Sequence, residues 1–244
     1  MKAAVYIGHG SRSDEGNKRF ISFIESVMAK TPMHVTAYGF LESAEPSAME
    51  AVEGCIRKGA SEITVVPVLL LPGIHANVDI PTILEAVKEK HQDVDIRYGE
   101  PIGINSIMAE IIEERLFAKG FTGTKEEGIL LVGHGSRDPL AAGEFEKLQV
   151  MLQEKMASSV HTAYITTSPS YEEKVPELLN SSLGTVYLLP YLLFTGGFAV
   201  KMEERIKEFS RLSFQQEIVV CEPIGFDDRL KALLVKKVEE AGSL

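Results

Sequence analysis

Two histidines and an acid stand where short apolar runs end. His9 lies in Gly8-His9-Gly10-Ser11-Arg12, directly after Lys2–Ile7. His75 closes Leu69-Leu70-Leu71-Pro72-Gly73-Ile74-His75, after the run Ile63–Leu69, and Glu42 follows His34–Phe40. Imidazole takes up protons near neutral pH and ligates divalent transition metals. Two imidazoles and a carboxylate match the ligand preferences of such an ion. They also leave coordination positions open, as catalytic metal sites do. Each residue alone has a plainer explanation: His9 as a turn residue, His75 as a loop residue, Glu42 as a solvated acid. Their joint placement makes a site the better reading. Gly8–Arg12 is not a P-loop, because no G-x-x-x-x-G-K-[ST] is present. Nor is it G-x-G-x-x-G, because position 13 is Ser13.

These groups meet only if the apolar runs are neighbouring strands of one sheet. Lys2–Ile7, His34–Phe40, Ile63–Leu69 and Val94–Tyr98 read as buried strands. Phe20, Ile24, Val27 and Met28 fall on one face of an intervening helix. Ser47–Lys58, Pro81–Lys90 and Asn105–Lys119 read as further helices. Near-continuous apolar strands alternating with helices imply a parallel sheet covered on both faces. Ligands of such sheets bind at the carboxyl ends of the strands, where His9, Glu42 and His75 all fall. Ser11 or Ser13 is placed to cap the first helix, and Asp138 with Pro139 to start its counterpart. Free amides at such helix starts hold anions.

The chain repeats itself. AVYIGHGSR at 4–12 returns as ILLVGHGSR at 129–137, so that His134 lies 125 residues after His9. VTAY ending at Tyr38 returns as HTAY ending at Tyr164, 126 residues on. Pro67 and Pro190 differ by 123, and the EPIG segments ending at Gly103 and Gly225 by 122. Ordered markers at nearly constant spacing indicate tandem duplication. The second copy should place strands at Ile129–Val132, Thr162–Thr166, Thr185–Pro190 and Glu217–Cys221. We expect two similar doubly wound parallel-sheet domains, 1–122 and 123–244, facing across a cleft, with the joint near Lys119–Glu127.

The copies differ where the chemistry lies. His134 keeps the place of His9, but His75 corresponds to Phe198 and Glu42 to a position near Thr167 or Ser168. A single working site, in the first copy, is therefore expected. The second copy should form the opposite wall, where Ser136, Arg137 and Lys201 meet anionic groups and Phe194 and Phe198 pack against a flat apolar face.

Net charge is −10, which disfavours nucleic acid and anionic membranes as partners. Apolar runs such as Ile63–Pro72 fall well short of the roughly 20 residues that span a bilayer. Met1-Lys2 leads straight into a strand-like run, without the apolar region and cleavage site of a signal peptide, so a cytoplasmic location is expected. Cys55 and Cys221 form no C-x-x-C pair and are read as core thiols.

Taken together, the motifs resemble those of the class II chelatases, the sirohydrochlorin cobalto-, ferro- and nickelochelatases, in their two-copy bacterial form. GHGSR after the first strand and VVP-x-LL-x-x-G-x-H after the third carry the resemblance, which covers nearly the whole chain. It implies that His9 is proton acceptor and metal ligand, and His75 the second ligand. Substrate would lie along Leu70, Leu71, Pro72, Gly73 and Ile74, and near Glu42 or Glu45. Arg12, His134 and Arg137 are candidate partners for its carboxylates. No organic cofactor is implied, because the divalent metal is itself a substrate, Fe²⁺ or Co²⁺. Some long cobalt-type relatives carry a His-rich segment and a cysteine cluster. This chain has neither, which favours the ferrochelatase of sirohaem synthesis over cobalt insertion for cobalamin. The duplication supplies both halves of the cleft, so a monomer is expected. A non-catalytic tetrapyrrole or metal carrier is the alternative of another class. A phosphate-ligand enzyme using GHGSR as an anion nest would leave His75 and Glu42 unexplained.

Overall fold

Lys2–Gly8 (β1), Val35–Phe40 (β2), Glu62–Val68 (β3) and Asp95–Tyr98 (β4) pair in parallel in the order β2-β1-β3-β4. Glu127–Gly133 (β5), Ser159–Tyr164 (β6), Thr185–Pro190 (β7) and Glu217–Val220 (β8) repeat this as β6-β5-β7-β8. These elements come from a computed structural model that describes residues 1–194, 196–212 and 216–243. Val5, Ile7, Ile63 and Val65 pack on one side of the first sheet in a fully buried cluster with Val52, Cys55, Ile80 and Leu84. Two buried faces explain why these strands read as unbroken apolar runs.

The helices are Asp14–Met28 (α1), Ala48–Arg57 (α2), Ile80–Lys90 (α3), Ser106–Phe117 (α4), Pro139–Gln153 (α5), Tyr171–Leu179 (α6), Gly196–Leu212 (α7) and Arg229–Gly242 (α8). Their starts follow from local chemistry. Ser13, not Ser11, caps α1 by accepting from Gly16, and Asp138 caps α5 ahead of Pro139. Ser47 with Glu50, and Ser170 with Glu173, form reciprocal capping boxes at α2 and α6. Cys55 and Cys221 are buried free thiols, and burial pushes both upward, Cys221 to about 12. No helix among the described residues is long and apolar enough to cross a membrane.

The compact units depart from the expected boundary at 122/123. One consists of Met1–Gly103 with Phe226–Leu244, and the other of Ile104–Gly225. Each repeat gives its last helix to the other repeat's sheet: α8 packs on β3, β4 and α1, and α4 packs on β7. The apolar face of α4, with Met108, Ile111, Ile112 and Leu116 buried, announces that it covers a sheet. Periodicity carries no information about which sheet that is. Strand β6 also ends two residues before the expected Thr166. That residue leaves the ladder because both its amide and its hydroxyl donate to the His134 carbonyl, at 3.0 and 2.8 Å.

Where the two repeats join, the Glu127 carboxylate accepts from the amides of Thr122 and Thr124 and from the Thr122 hydroxyl, at 3.0–3.2 Å. Burial alone would raise this carboxyl. The bonds from Thr124, Thr122 and Gly123 outweigh burial and hold it below its ordinary range. A carboxyl lowered in the folded state stabilises the fold above its unfolded pKa, and that contribution is lost as pH falls through the folded value. Glu127→Gln should cost about 1.5–3 kcal/mol at neutral pH, the range for hydrogen bonds to charged groups. The deficit should shrink in acid. Denaturant midpoints of both proteins at neutral and acid pH would show it, and a pH-independent gap would remove the charge from the explanation.

Candidate active site

In the strand order β2-β1-β3-β4 the connection from β1 runs to one side, to β2, and that from β3 to the other, to β4. A crevice therefore opens between the carboxyl ends of β1 and β3. His9 follows β1 directly, and His75 follows β3 after the short segment 69–74. The loop after β1 is held in place by specific bonds. Leu41 and Glu42 donate from their amides to the carbonyls of Gly8 and His9, at 3.0 and 3.1 Å. Asn17 clamps Ser11 twice, accepting from its amide at 2.9 Å and donating to its carbonyl at 2.7 Å. Gly10 has φ +89°, and a Cβ there would stand 1.8 Å from the Glu42 carbonyl oxygen. Only glycine lets the β1 and β2 loops touch in this way.

His75 does not sit in an open loop as expected. It begins a π turn, His75–Asp79, that runs straight into α3. The Tyr98 hydroxyl at the end of β4 donates to the Ala76 carbonyl at 2.8 Å and pins this turn. Burial, with Glu100 adding to it, raises the Tyr98 phenol, which therefore remains a donor.

The two loops bring His9 and His75 face to edge. Their ring centroids are 4.6 Å apart and their Nε2 atoms 3.1 Å apart. The hydrogens follow from the remaining partners. His9 Nδ1 lies 3.0 Å from the Gly10 carbonyl and 3.6 Å from Glu42 Oε1. His75 Nδ1 lies 2.7 Å from Asp79 Oδ2. All of these oxygens accept, so each ring donates from Nδ1 and presents a lone pair at Nε2. Two lone pairs at this separation are held together only by a cation, either one proton or one metal ion. Bonds of about 2.0–2.1 Å from one ion to both nitrogens would subtend roughly a right angle. Both rings are half-exposed, so the lone pairs are open to a ligand. Among the described residues no group of three or more His, Cys, Asp or Glu side chains converges as a metal cage.

The remaining residues singled out in the sequence divide. Glu42 reaches His9, whereas Glu45 meets Glu50 at the start of α2. Leu70, Leu71, Pro72 and Gly73 are half-buried and Ile74 is exposed, forming the rim between β3 and the π turn. Arg12 is exposed on the loop after β1, and Arg137 and His134 are exposed on its counterpart after β5. Phe194 is half-buried and Lys201 exposed. Asp79 is not among the residues singled out in the sequence. Its spacing of four residues from His75 was the available signal.

Copy two answers copy one position by position. Phe198 lies against His134 at 5.6 Å between centroids, in an edge arrangement like that of His75 on His9. Thr166 takes the place of Glu42, because its amide donates to the His134 carbonyl as that of Glu42 does to His9. The expected equivalence with Thr167 or Ser168 is corrected accordingly. The cause is the VTAY/HTAY marker, which is out of register. Phe40 and Tyr164, not Tyr38 and Tyr164, occupy matching ladder positions opposite Gly8 and Gly133. A slip of two keeps every side chain on its own face, so the pattern did not reveal it.

Comparison with known proteins came to the same architecture. The CbiX family model matches the chain twice, at residues 3–119 and 128–241. The chain is 33% identical over 241 residues to the sirohydrochlorin ferrochelatase of Priestia megaterium, covering 98% of this chain and 90% of that protein. It is 32% identical over 246 residues to the sirohydrochlorin cobaltochelatase of the same organism, covering 98% and 80%. A solved structure, SirB from Bacillus subtilis with Fe³⁺, superposes with a TM-score of 0.89 at 30% identity, covering 99% of this chain and 96% of that one.

Proposed function

Because the chain belongs to the CbiX family, we propose that it is a metal chelatase that inserts Fe²⁺ into sirohydrochlorin to make sirohaem, with Co²⁺ insertion as the second reading. The observation that carries it is the pair of facing Nε2 atoms of His9 and His75, 3.1 Å apart at the crevice between β1 and β3. Insertion removes two protons from pyrrole nitrogens and transfers one divalent ion, so the products are the chelate and two protons. His9 and His75 hold the incoming ion through Nε2. Two protein ligands bind an ion and still release it to four pyrrole nitrogens. His9 takes up a pyrrole proton as the ion leaves, and Glu42 beside its Nδ1 supports the resulting imidazolium. The substrate ring lies along Leu70, Leu71, Pro72, Gly73 and Ile74. Arg12, Arg137 and His134 meet its carboxylates. In this reading the ion is a substrate, no organic cofactor takes part, and the chain works as a monomer in the cytoplasm.

Names of relatives do not separate the two metals, since the ferro- and cobaltochelatases of one organism are 33% and 32% identical to this chain. Affinity does not separate them either, because a nitrogen site ranks Co²⁺ above Fe²⁺. The test is sirohydrochlorin with each metal in turn, followed by absorbance over many equivalents of enzyme. Sustained turnover with Fe²⁺ is expected. A reaction that stops at one equivalent would make the protein a carrier, and turnover with Co²⁺ alone would replace iron by cobalt.

A further inference from the structure

We infer that Asp79 is a positioning residue that fixes the His75 tautomer and so keeps the His75 Nε2 lone pair turned toward His9 and the ion; this rests on the chelatase reading. The Asp79 carboxylate accepts from His75 Nδ1 at 2.7 Å, the shortest contact of either imidazole. Histidines that bind metals commonly donate their other ring nitrogen to a carboxylate in this way, which fixes the tautomer and raises ligand basicity.

Asp79 has no competing structural task. It occupies the N-cap position of α3, where an aspartate side chain would ordinarily accept from the helix amides, yet it makes no such bond. It is about two-fifths exposed, so its pairing with His75 does not serve burial. The backbone is instead rearranged around the pair. Downstream of the π turn, the buried triplet Ile80, Leu84 and Val87 matches Met202, Ile206 and Phe209 in spacing, at an offset of 122 residues. Upstream, His75 and Phe198 stack on their respective histidines at an offset of 123. Copy one therefore carries one extra residue inside His75–Asp79, and a π turn is what one inserted residue produces in a helix. In copy two, Phe198 stands for His75, and the positions that answer Asp79 are Lys201 and Met202, neither of them acidic. Ligand, acid and wide turn are present together in one copy and absent together from the described residues of the other.

The test uses the full chain. Co²⁺ alone, without tetrapyrrole, is titrated into wild type, Asp79→Ala and Asp79→Asn, and chelation is measured at varied metal and varied sirohydrochlorin. Asp79→Ala should raise the Co²⁺ Kd and the KM for metal by about 10–100-fold, the cost of losing such a partner. The KM for sirohydrochlorin and the thermal midpoint should hold. Asp79→Asn keeps a carbonyl acceptor and should lose less. In parallel, ¹⁵N spectra of His75 should show the Nδ1–H tautomer in wild type and a shift toward Nε2–H in Asp79→Ala. An unchanged Co²⁺ Kd in folded Asp79→Ala, or unchanged tautomer populations, would overturn the assignment. Absence of chelation by the wild type would instead remove the chelatase reading, while the tautomer spectra would still decide the role of Asp79.

Discussion

His9→Ala is expected to reduce metal insertion by about 10²–10⁴-fold, the usual cost of losing a general base, whereas His134→Ala should change it several-fold at most. Both histidines sit in GHGSR, after the central strand of their own sheet, with the same backbone bonds to the following loop. Their surroundings differ. The His9 ring faces His75 Nε2 on one side and Glu42 on the other. The His134 ring faces Phe198, and the residue in the place of Glu42 is Thr166, whose hydroxyl donates to the His134 backbone carbonyl. A base must stand within hydrogen-bonding reach of the proton it takes, on the side from which the metal arrives. Of the two, His9 is the one placed beside a second imidazole nitrogen, that of His75. The rates of both folded variants at saturating metal decide the point. Equal losses would mean that the two copies share the chemistry.

Much of this was legible in the sequence, and the parts that were not have identifiable causes. Strand and helix alternation was legible because both faces of each sheet are buried, which writes uninterrupted apolar runs such as Ala3–Ile7 and Ile129–Val132 into the chain. His9 and His75 were legible because each follows such a run. The helix exchange was not, because an amphipathic face names no partner. The π turn left a trace in the fall of the repeat offset from 123 to 122, but a single inserted residue reads as ordinary drift between duplicated copies. Only the stacking of Phe198 on His134 and the matched spacing of Ile80, Leu84 and Val87 with Met202, Ile206 and Phe209 locate that insertion within His75–Asp79. The Glu42 equivalence failed because the VTAY and HTAY markers match Tyr38 with Tyr164, whereas the ladders match Phe40 with Tyr164, two residues on.

His75→Ala should abolish use of metal at ordinary concentrations, and Phe198→His should not create a second site. The first change deletes one of two facing nitrogens and leaves His9 with a single Nε2. Its loss should exceed the roughly 10–100-fold typical of removing a residue that only orients a ligand. The second change places an imidazole opposite His134, at a half-exposed position where the ring is tolerated. It restores one atom of a larger arrangement. His75 is held by an acid on a turn widened by one residue, and α7 has no such turn among its described residues. Beside His134 the position that answers Glu42 holds Thr166, whose hydroxyl already donates to the His134 carbonyl. An imidazole at 198 would have Lys201 and Met202 at the positions that answer Asp79, and His134 has Thr166 in the place of Glu42. The variant His75→Ala/Phe198→His should therefore be as inactive as His75→Ala alone. Co²⁺ titration of Phe198→His should still find one ion per chain. Recovered turnover in the double variant, or two ions per chain in the single one, would show that paired imidazoles suffice and that the surrounding acids and the wide turn contribute nothing to the site.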